Sequence, residues 1–378
     1  MSRELWPGAC AYRMLTPYQV AYAGIKSKSS RTNRGGTHVA AFASSWTDDV
    51  TRGLDDTLSQ SRVPLALHVE YMDTKRVVSP NYDEELATFY QKKFQGISFA
   101  VIVCSDNNAA QFMASRGRTV FPDTPVVFCG FNFLRKEDLV DLKGFTGVNE
   151  EADLSAGIDL ALTLHPDTTT LYIINDRTPT GLRVMDRLDE IVPSYKDRVD
   201  FTFLDNLSMP DLLATLRTLS KGDLVFHTFF FRDQSGRFFE YDDSIQQIAD
   251  NCPVPIYGAW DFSLGNGIIG GLLTSGYFQG QAAGKLALRI LDGEPVDELP
   301  IITESPNRYM FDYQRMAAFK ISPEQLPPDS IIINKPPSLY QQYRHAVWAG
   351  IAGLMLQLAI IFYLTSNIMR RRSVERTI

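Results

Sequence analysis

The sequence predicts an α/β protein made of two lobes with parallel sheets, followed by one C-terminal transmembrane helix. Short apolar runs alternate with helix-like stretches, and this alternation begins again after residue 147. Strands that alternate with helices are typical of βαβ units, in which the sheet is parallel. The C-terminal helix is predicted by residues 346–369, which contain no charged side chain.

Length and charge fit this organisation. The chain has 378 residues, which is long for one compact core and sufficient for two. Its formal net charge is −7 at pH 7, so a broad nucleic-acid-binding surface is not expected.

The first lobe is expected to span residues 37–147. The preceding segment 1–36 carries many Lys and Arg side chains against the single acid Glu4, and it has no apolar core of the length that a signal peptide needs. We therefore expect segment 1–36 to be disordered. The elements of this lobe are predicted from apolar periodicity as strands at 38–43, 65–69, 99–104 and 125–129 and helices at 45–58, 81–94 and 106–115.

The second lobe is expected to span residues 148–322, with crossovers at a hinge. Its last strand is expected either in this lobe or returned to the first. The strands are predicted at 170–174, 199–204, 224–228, 254–257, 267–273 and 308–311, and the helices at 153–164, 181–191, 210–219, 244–251 and 279–291.

The C-terminal part is predicted to meet a membrane. Residues 323–344 are Pro-rich and are expected to form a stiff stalk, 345–369 the transmembrane helix, and 370–378 a cytoplasmic tail. Trp348 and Tyr363 stand near the two helix ends, where aromatic belts form. Three arginines follow at 370–372, so the positive-inside rule places the large N-terminal part outside the cytoplasm. A buried core helix is the alternative.

Candidate binding residues follow the predicted strands, because ligands of parallel α/β sheets bind at the carboxyl ends of the strands. Asp106, Asp176 or Asp261 could hold an amine, and Arg177 or Arg232 could hold a carboxylate. A zwitterion such as an amino acid would suit both kinds of side chain.

Each of these segments also has a purely structural interpretation. An Asp or Ser that follows a strand is more often a helix cap than a ligand contact. Phe230 and Trp260 could belong to the core, and Arg232 could pair with Asp233. Gly130 could be there simply because a turn requires glycine.

Enzyme motifs are missing from the sequence. It contains no nucleophile elbow, phosphate-binding loop or zinc-protease motif. Residues 265–271 are glycine-rich, but they open a strand instead of joining a strand to a helix, which argues against a dinucleotide site. We expect no catalytic residues, no metal and no cofactor. Cys104 and Cys129 each end an apolar run and are either buried thiols or a disulfide.

Several motifs carry a resemblance to a known family: residues 68–75, 175–178, 230–233, 257–261 and 267–271, with the tail 321–328 and 337–340. On these motifs, residues 38–343 resemble the ABC-transporter substrate-binding-protein-like family. They are most similar to its members that serve as extracytoplasmic sensor domains of bacterial histidine kinases and diguanylate cyclases.

The resemblance implies the type I periplasmic binding protein fold, in which two Rossmann-like lobes close on a small polar ligand. Ligands associated with the family are amino acids, sugars and purine-like molecules. Carried over segment by segment, the resemblance implies these ligand-binding residues: Trp46, Ser105, Asp106, Gly130, Asn132, Asp176, Arg177, Phe230, Trp260 and Asp261.

We therefore expect a single-pass protein of the inner membrane, with a periplasmic domain that binds a solute and signals by closure of its lobes. Its expected partners are the ligand and the membrane, with a histidine kinase, a diguanylate cyclase, an ABC permease or a second copy of the chain as candidates. The alternatives are a tethered substrate-binding component of an ABC transporter and, second, a small-molecule enzyme.

Overall fold

The structure is a computed structural model that describes residues 18–24, 45–72, 74, 77, 79–132, 134, 143–337 and 339–375. The chain divides into two units, Met1–Ile333 and Asn334–Ile378. The first unit contains both lobes, and the second contains one long helix.

The first lobe is built on a five-stranded parallel sheet with the order β2-β1-β3-β4-β5. Its strands are β1 (Tyr18–Gly24), β2 (Leu65–Tyr71), β3 (Val101–Ser105), β4 (Val126–Asn132) and β5 (Phe145–Glu150). Its helices are α1 (Ser45–Leu58), α2 (Tyr82–Lys93), α3 (Asn107–Phe112) and α4 (Arg118–Val120), with a π-helical segment between the last two. Side chains of β3 alternate between two cores, because Ile102 and Cys104 face one and Val101 and Val103 the other.

The central strand of this sheet differs from the prediction. Tyr18–Gly24 pairs with β2 on one side and β3 on the other, inside the segment 1–36 that we expected to be disordered. Tyr18, Val20 and Tyr22 are residue types that favour a strand, but the surrounding positive charge favoured disorder. The predicted strand at 38–43 lies outside the described residues.

The second lobe has a seven-stranded sheet with the order β12-β11-β10-β9-β8-β6-β7. Its strands are β6 (Thr170–Ile174), β7 (Asp200–Leu204), β8 (Asp223–His227), β9 (Ile256–Gly258), β10 (Gly270–Leu273), β11 (Arg308–Asp312) and β12 (Ile331–Ile333). The helices in this part of the chain are α5 (Leu154–Leu164), α6 (Pro179–Ile191), α7 (Met209–Leu216), α8 (Tyr241–Asn251), α9 (Gly276–Leu291) and α10 (Tyr313–Ala318). β10 and β11 are antiparallel, and the other pairs in the sheet are parallel.

Helix α9 returns to the first lobe, and the last strands do not. Ala283 and Leu286 of α9 share a core with Val50 and Leu54 of α1. The two helices lie so close that a Cβ at Gly280 would stand 2.1 Å from the Val50 carbonyl oxygen. β11 pairs with β10, and β12 pairs with β11, so the predicted last strand at 308–311 lies in the sheet of the second lobe and not in the first.

The predicted stalk is shorter in the structure. Pro323–Gln325 forms a 3-10 turn, and the strand Ile331–Ile333 adds to the edge of the second sheet. Three consecutive Ile residues favour a strand at this point, in spite of the neighbouring prolines.

Cys104 and Cys129 are free thiols on neighbouring strands. Their side chains belong to the cores on opposite faces of the first sheet, and therefore do not meet. Burial raises the pKa of the Cys129 thiol to about 12 and also raises that of Cys104, so both are unreactive.

The second unit contains α11 (Leu339–Glu375). Within it, Gln342–Met369 has a mean hydropathy of 2.0 and is long and apolar enough to cross a membrane. The helix therefore begins a few residues before the predicted boundary at 345.

Candidate functional site

A cavity of about 620 Å³ opens between the two lobes, and its two walls differ in chemistry. The wall from the first lobe is mainly polar, with side chains that carry an amide or a carboxylate: Asp106, Asn107, Asn108, Gln111 and Asn132. The wall from the second lobe is mainly aromatic: Phe229, Phe231, Phe238, Tyr241, Trp260 and Phe262. Glu150, at the end of β5 where the chain enters the second lobe, lines the same cavity.

The polar wall is organised around the start of α3. Asp106 directly follows β3 with φ 80°, in the left-handed region, and its carboxylate accepts a hydrogen bond from the Asn107 amide at 2.7 Å. The Asn107 side chain bonds to Asn132 in both directions: it accepts from the Asn132 amide at 2.9 Å and donates to the carbonyl at 3.4 Å. These bonds join the ends of β3 and β4 into one surface.

Gly130 and Ser105 lie directly behind this wall. Gly130 has φ +64°, and a Cβ there would stand 3.3 Å from the Ser105 hydroxyl and 3.5 Å from the Trp46 indole nitrogen. The amide of Gly130 donates to Gln279 of α9 at 3.2 Å. Glycine is therefore favoured by both the backbone and the space.

The base of the cavity lies where the chain crosses between the lobes. The first crossover follows β5, the second precedes α9 and the third precedes β11. Trp46 packs against the cores of both lobes. Trp260 is buried, and its indole N–H donates to the Glu150 carboxylate at 3.0 Å, which ties the aromatic wall to the first crossover. Gln279 donates to the Asn149 carbonyl at 2.9 Å and to the Ser305 hydroxyl at 3.1 Å, and so joins two crossovers.

The aromatic wall is one continuous set of rings. Phe229 lies 4.1 Å from Trp260 between ring centroids, and Phe231 lies 4.2 Å from Tyr241. Phe262 lies 4.5 Å from Tyr241 and closes the set. Phe229, Trp260 and Phe262 also belong to the core of the second lobe, so the wall is rigid and presents apolar and π surface.

Six of the ten predicted binding residues do not line the cavity: Ser105 and Gly130, described above, then Asp176, Arg177 and Phe230, and finally Asp261. Asp176 is buried and accepts hydrogen bonds from Thr178 and from the Phe231 amide, at 2.5 and 2.7 Å, so it holds the ends of β6 and β8 together. Arg177 is exposed and pairs with Asp205 at 3.0 Å. Phe230 is 1% exposed and packs in the core beside Phe239. Phe230 therefore belongs to the core, as its structural interpretation states, whereas the N-cap of α6 is Thr178 and not Asp176.

Asp261 follows Trp260 but lies behind the cavity, beside Ser275 and Gly276 at the start of α9. Burial raises the pKa of its carboxyl to about 7; the nearby Asp49 carboxylate adds to this, while Ser275 and Gly276 oppose it. Asp261 is therefore placed to hold the second crossover and not to touch a ligand.

Four of the predicted residues, Trp46, Asp106, Asn132 and Trp260, line the cavity, and the structure adds others. Asn107, Asn108 and Gln111 continue the helix that Asp106 begins, and they were not among the predicted binding residues. Phe229 and Phe231 line the cavity on either side of the buried Phe230, as the two-residue period of an extended chain requires. The three aromatic residues were visible in the sequence, but the sequence alone does not show which of them face the cavity.

Comparisons with known proteins identify the fold. A scan against protein-family models finds no match. A search of curated proteins finds no match either. Among solved structures, a ligand-free, open substrate-binding protein with adhesive properties from Clostridium difficile is similar over 84% of this chain and 100% of its own, with 12% identity and a TM-score of 0.57.

Two further structures show the same likeness. An ABC domain from Streptococcus pneumoniae in complex with L-Trp covers 83% of this chain and 100% of its own, at 16% identity and a TM-score of 0.54. An arabinose-binding protein from Geobacillus stearothermophilus covers 77% and 96%, at 11% identity and a TM-score of 0.51. The resemblance inferred from the sequence is thus confirmed at the level of the fold, and the chain has the type I periplasmic binding protein fold shared by substrate-binding proteins of ABC transporters.

Proposed function

We propose that the chain is a membrane-anchored extracytoplasmic solute-binding protein, which holds a small polar ligand between its two lobes and signals by closure of the lobes. The observation that carries this proposal is the cavity at the crossovers, with a polar wall from one lobe and an aromatic wall from the other. A ligand that touches both walls favours the state in which they are close together, and it shifts the equilibrium by its differential affinity for that state.

The nature of the walls supports a small organic solute. Aromatic rings offer surface for stacking, while amides and carboxylates fix the orientation of polar groups. The structurally similar proteins are described with L-Trp and arabinose, so an amino acid and a sugar are both reasonable ligands, and purine-like molecules complete the set to be tested. These neighbours are binding proteins, which supports binding without turnover.

The direct test is a thermal-shift screen of the full chain in detergent against amino acids, sugars and nucleosides. A ligand raises the apparent melting temperature in proportion to the logarithm of its concentration over Kd. We expect at least one class to raise it, and Asn132→Ala to remove that rise. Asn251→Ala is the matched control, because Asn251 lies at the end of α8 outside the cavity, where its side chain accepts a hydrogen bond from Arg217. The proposal would be contradicted if no class raised the melting temperature, or if the rise were lost equally in both variants.

The membrane part of the proposal rests on α11. We propose that Gln342–Met369 spans the inner membrane with the lobes outside the cytoplasm, because arginines at 370–372 follow the span. A fluorescent protein fused to the C-terminus should be protected from external protease in spheroplasts while the lobes are cleaved. Cleavage of the fusion protein would reverse this orientation.

A transport role is the second candidate, because one of the similar structures is a substrate-binding protein. Uptake of a radiolabelled ligand by cells with and without the chain separates the two roles. A sensor leaves uptake unchanged and is expected to copurify with a histidine kinase or diguanylate cyclase, whereas a transport component copurifies with a permease and raises uptake.

A further inference from the structure

Two cavity-lining side chains are arginines, and both belong to the second lobe. Arg183 lies in the second turn of α6, and Arg232 follows the aromatic residues after β8. Among the described residues, neither forms an ion pair with a carboxylate. Both are exposed in the open cavity.

Three arginines of the same lobe that stand outside the cavity are paired with carboxylates. Arg177 pairs with Asp205 at 3.0 Å, Arg198 pairs with Asp159 at 2.8 Å, and Arg187 pairs with Glu190 at 2.5 Å. The fold therefore supplies carboxylates to several arginines on this surface, and the two that line the cavity keep their guanidinium groups available to a ligand.

Arg183 also reaches across the opening between the lobes. Its Nη1 lies 3.5 Å from the carbonyl oxygen of Asn132, at the end of β4 in the first lobe. The Asn107 side chain donates to the same oxygen at 3.4 Å, so that acceptor keeps a partner if Arg183 turns to a ligand. An exchange of partners by Arg183 would therefore leave no carbonyl group unsatisfied.

Arg232 is held in place through its backbone. It forms an antiparallel bridge with Phe238, and its amide lies 3.4 Å from the Asp176 carboxylate. The next residue, Asp233, accepts from the Met209 amide at 3.2 Å and from the Ser235 hydroxyl at 2.6 Å. This short hairpin gives Arg232 a fixed base beside the aromatic wall.

We propose that the cleft binds a solute with a single carboxylate, held by Arg183 and Arg232, and a ring or apolar body packed on the aromatic wall. Guanidinium groups bind carboxylates through paired, charge-assisted hydrogen bonds. Asp106 and Glu150 line the same cavity. Two carboxylates beside two guanidinium groups disfavour a multiply charged phosphate and suit a monoanion or a zwitterion. This inference names the ligand class of the proposed function and rests on it.

The test uses matched acids and amides with the full chain in detergent, by isothermal titration calorimetry. The pairs are 3-phenylpropionate with 3-phenylpropionamide, and L-phenylalanine with L-phenylalaninamide. We expect the acid of at least one pair to bind about 10- to 100-fold more tightly than its amide, as the loss of charge-assisted hydrogen bonds predicts. This comparison needs no variant.

Substitutions then assign the effect to the two arginines. The double variant Arg183→Gln, Arg232→Gln should lower the affinity for the acid to that for the amide and leave the amide unaffected. Arg177→Gln is the matched control, because that arginine pairs with Asp205 outside the cavity, and it should change neither affinity.

The possible outcomes separate this inference from the proposed function. An amide that binds as tightly as its acid, an acid affinity unchanged in the double variant, or a screen in which only neutral solutes such as D-arabinose bind overturns the inference and leaves solute binding standing. Failure of every compound in both the screen and the pairs overturns solute binding itself, and the inference with it.

Discussion

The two walls of the cleft are built in different ways. The aromatic wall is part of the core of the second lobe: Phe229, Trp260 and Phe262 are buried and in contact with one another. The polar wall is a surface layer, in which Asn107 and Asn132 bond to each other at the ends of two strands. A change in the buried part of the aromatic wall therefore affects stability and binding together, whereas a change in the polar wall costs less stability.

The largest effect is expected from Trp260→Ala. Trp260 is 2% exposed, and its removal leaves a cavity in the core and takes a hydrogen bond from Glu150. We expect the free energy of unfolding to fall by about 3–5 kcal/mol, measured by chemical denaturation of the full chain. Trp260→Phe keeps most of the ring and should cost less. Equal, small losses in both variants would show that this wall is not part of the core.

A pH effect of up to a few kcal/mol is expected from Asp261, behind the same wall. Burial raises the pKa of this carboxyl from 3.8 to about 7. Since the folded pKa lies above the unfolded one, the stability due to the protonated form is complete below about pH 4 and is lost as the pH rises to about 7. Asp261→Asn should remove this loss, so that the variant gains melting temperature over the wild type as pH rises from 4 to 7.

His227 changes stability with pH in the opposite sense. The contribution of Asp261 must therefore be measured as the difference between Asp261→Asn and the wild type. Burial lowers the pKa of His227 from 6.5 to about 4, so its contribution to stability is lost as the pH falls from about 6.5 to about 4. The exposed Asp292→Asn is the control for Asp261→Asn. A difference between Asp261→Asn and the wild type that stays constant with pH would mean that Asp261 does not titrate in this range.

A smaller effect is expected from the polar wall. Asn107→Ala removes the side-chain bonds to both backbone groups of Asn132, and we expect a loss of about 1–2 kcal/mol together with weaker ligand binding. The neighbouring Asn108 is exposed and bonds to Thr74, so Asn108→Ala should change stability by less than about 0.5 kcal/mol. Similar losses in the two variants would remove the special role of Asn107.

The smallest change in stability is expected from Phe238→Ala. Phe238 belongs to the aromatic wall, but it is 53% exposed at the opening of the cavity. We expect less than about 0.5 kcal/mol on stability and a clear rise in the Kd of a ligand that has a ring. Such a result would divide the aromatic wall into buried support and an exposed contact. A large loss of stability would contradict that division.

Much of the fold could be predicted from the sequence, because buried parallel strands and amphipathic helices have strong local patterns. The helix at 45–58 and the strand at 170–174 agree with the structure residue by residue. The central strand at 18–24 was not predicted, since its pairing partners lie far away in the sequence and the flanking charge favoured disorder. Long-range pairing leaves no local signal.

The candidate site was only partly predictable for a similar reason. Strand ends were located well, so Asp106 and Trp260 line the cavity as expected. Glu150 was missed because its strand was interpreted as a break between the lobes. Arg183 was missed because it lies a turn inside a helix, where only the tertiary structure decides which face meets the cavity. Phe230 was chosen in place of its neighbours because the phase of an extended segment depends on the core behind it.

The central claim is that two unlike walls close on one solute, and the distance between the lobes tests it most directly. Spin labels can be placed at Ala114→Cys in the first lobe and Gln234→Cys in the second, both exposed and outside the cavity lining. Of the four native cysteines, Cys104, Cys129 and Cys252 are buried, so only Cys10 is replaced, by Ser. Pulsed electron paramagnetic resonance on the full chain, with a solute that raises its melting temperature, should give a shorter distance than without it. An unchanged distance at saturating solute would contradict the account.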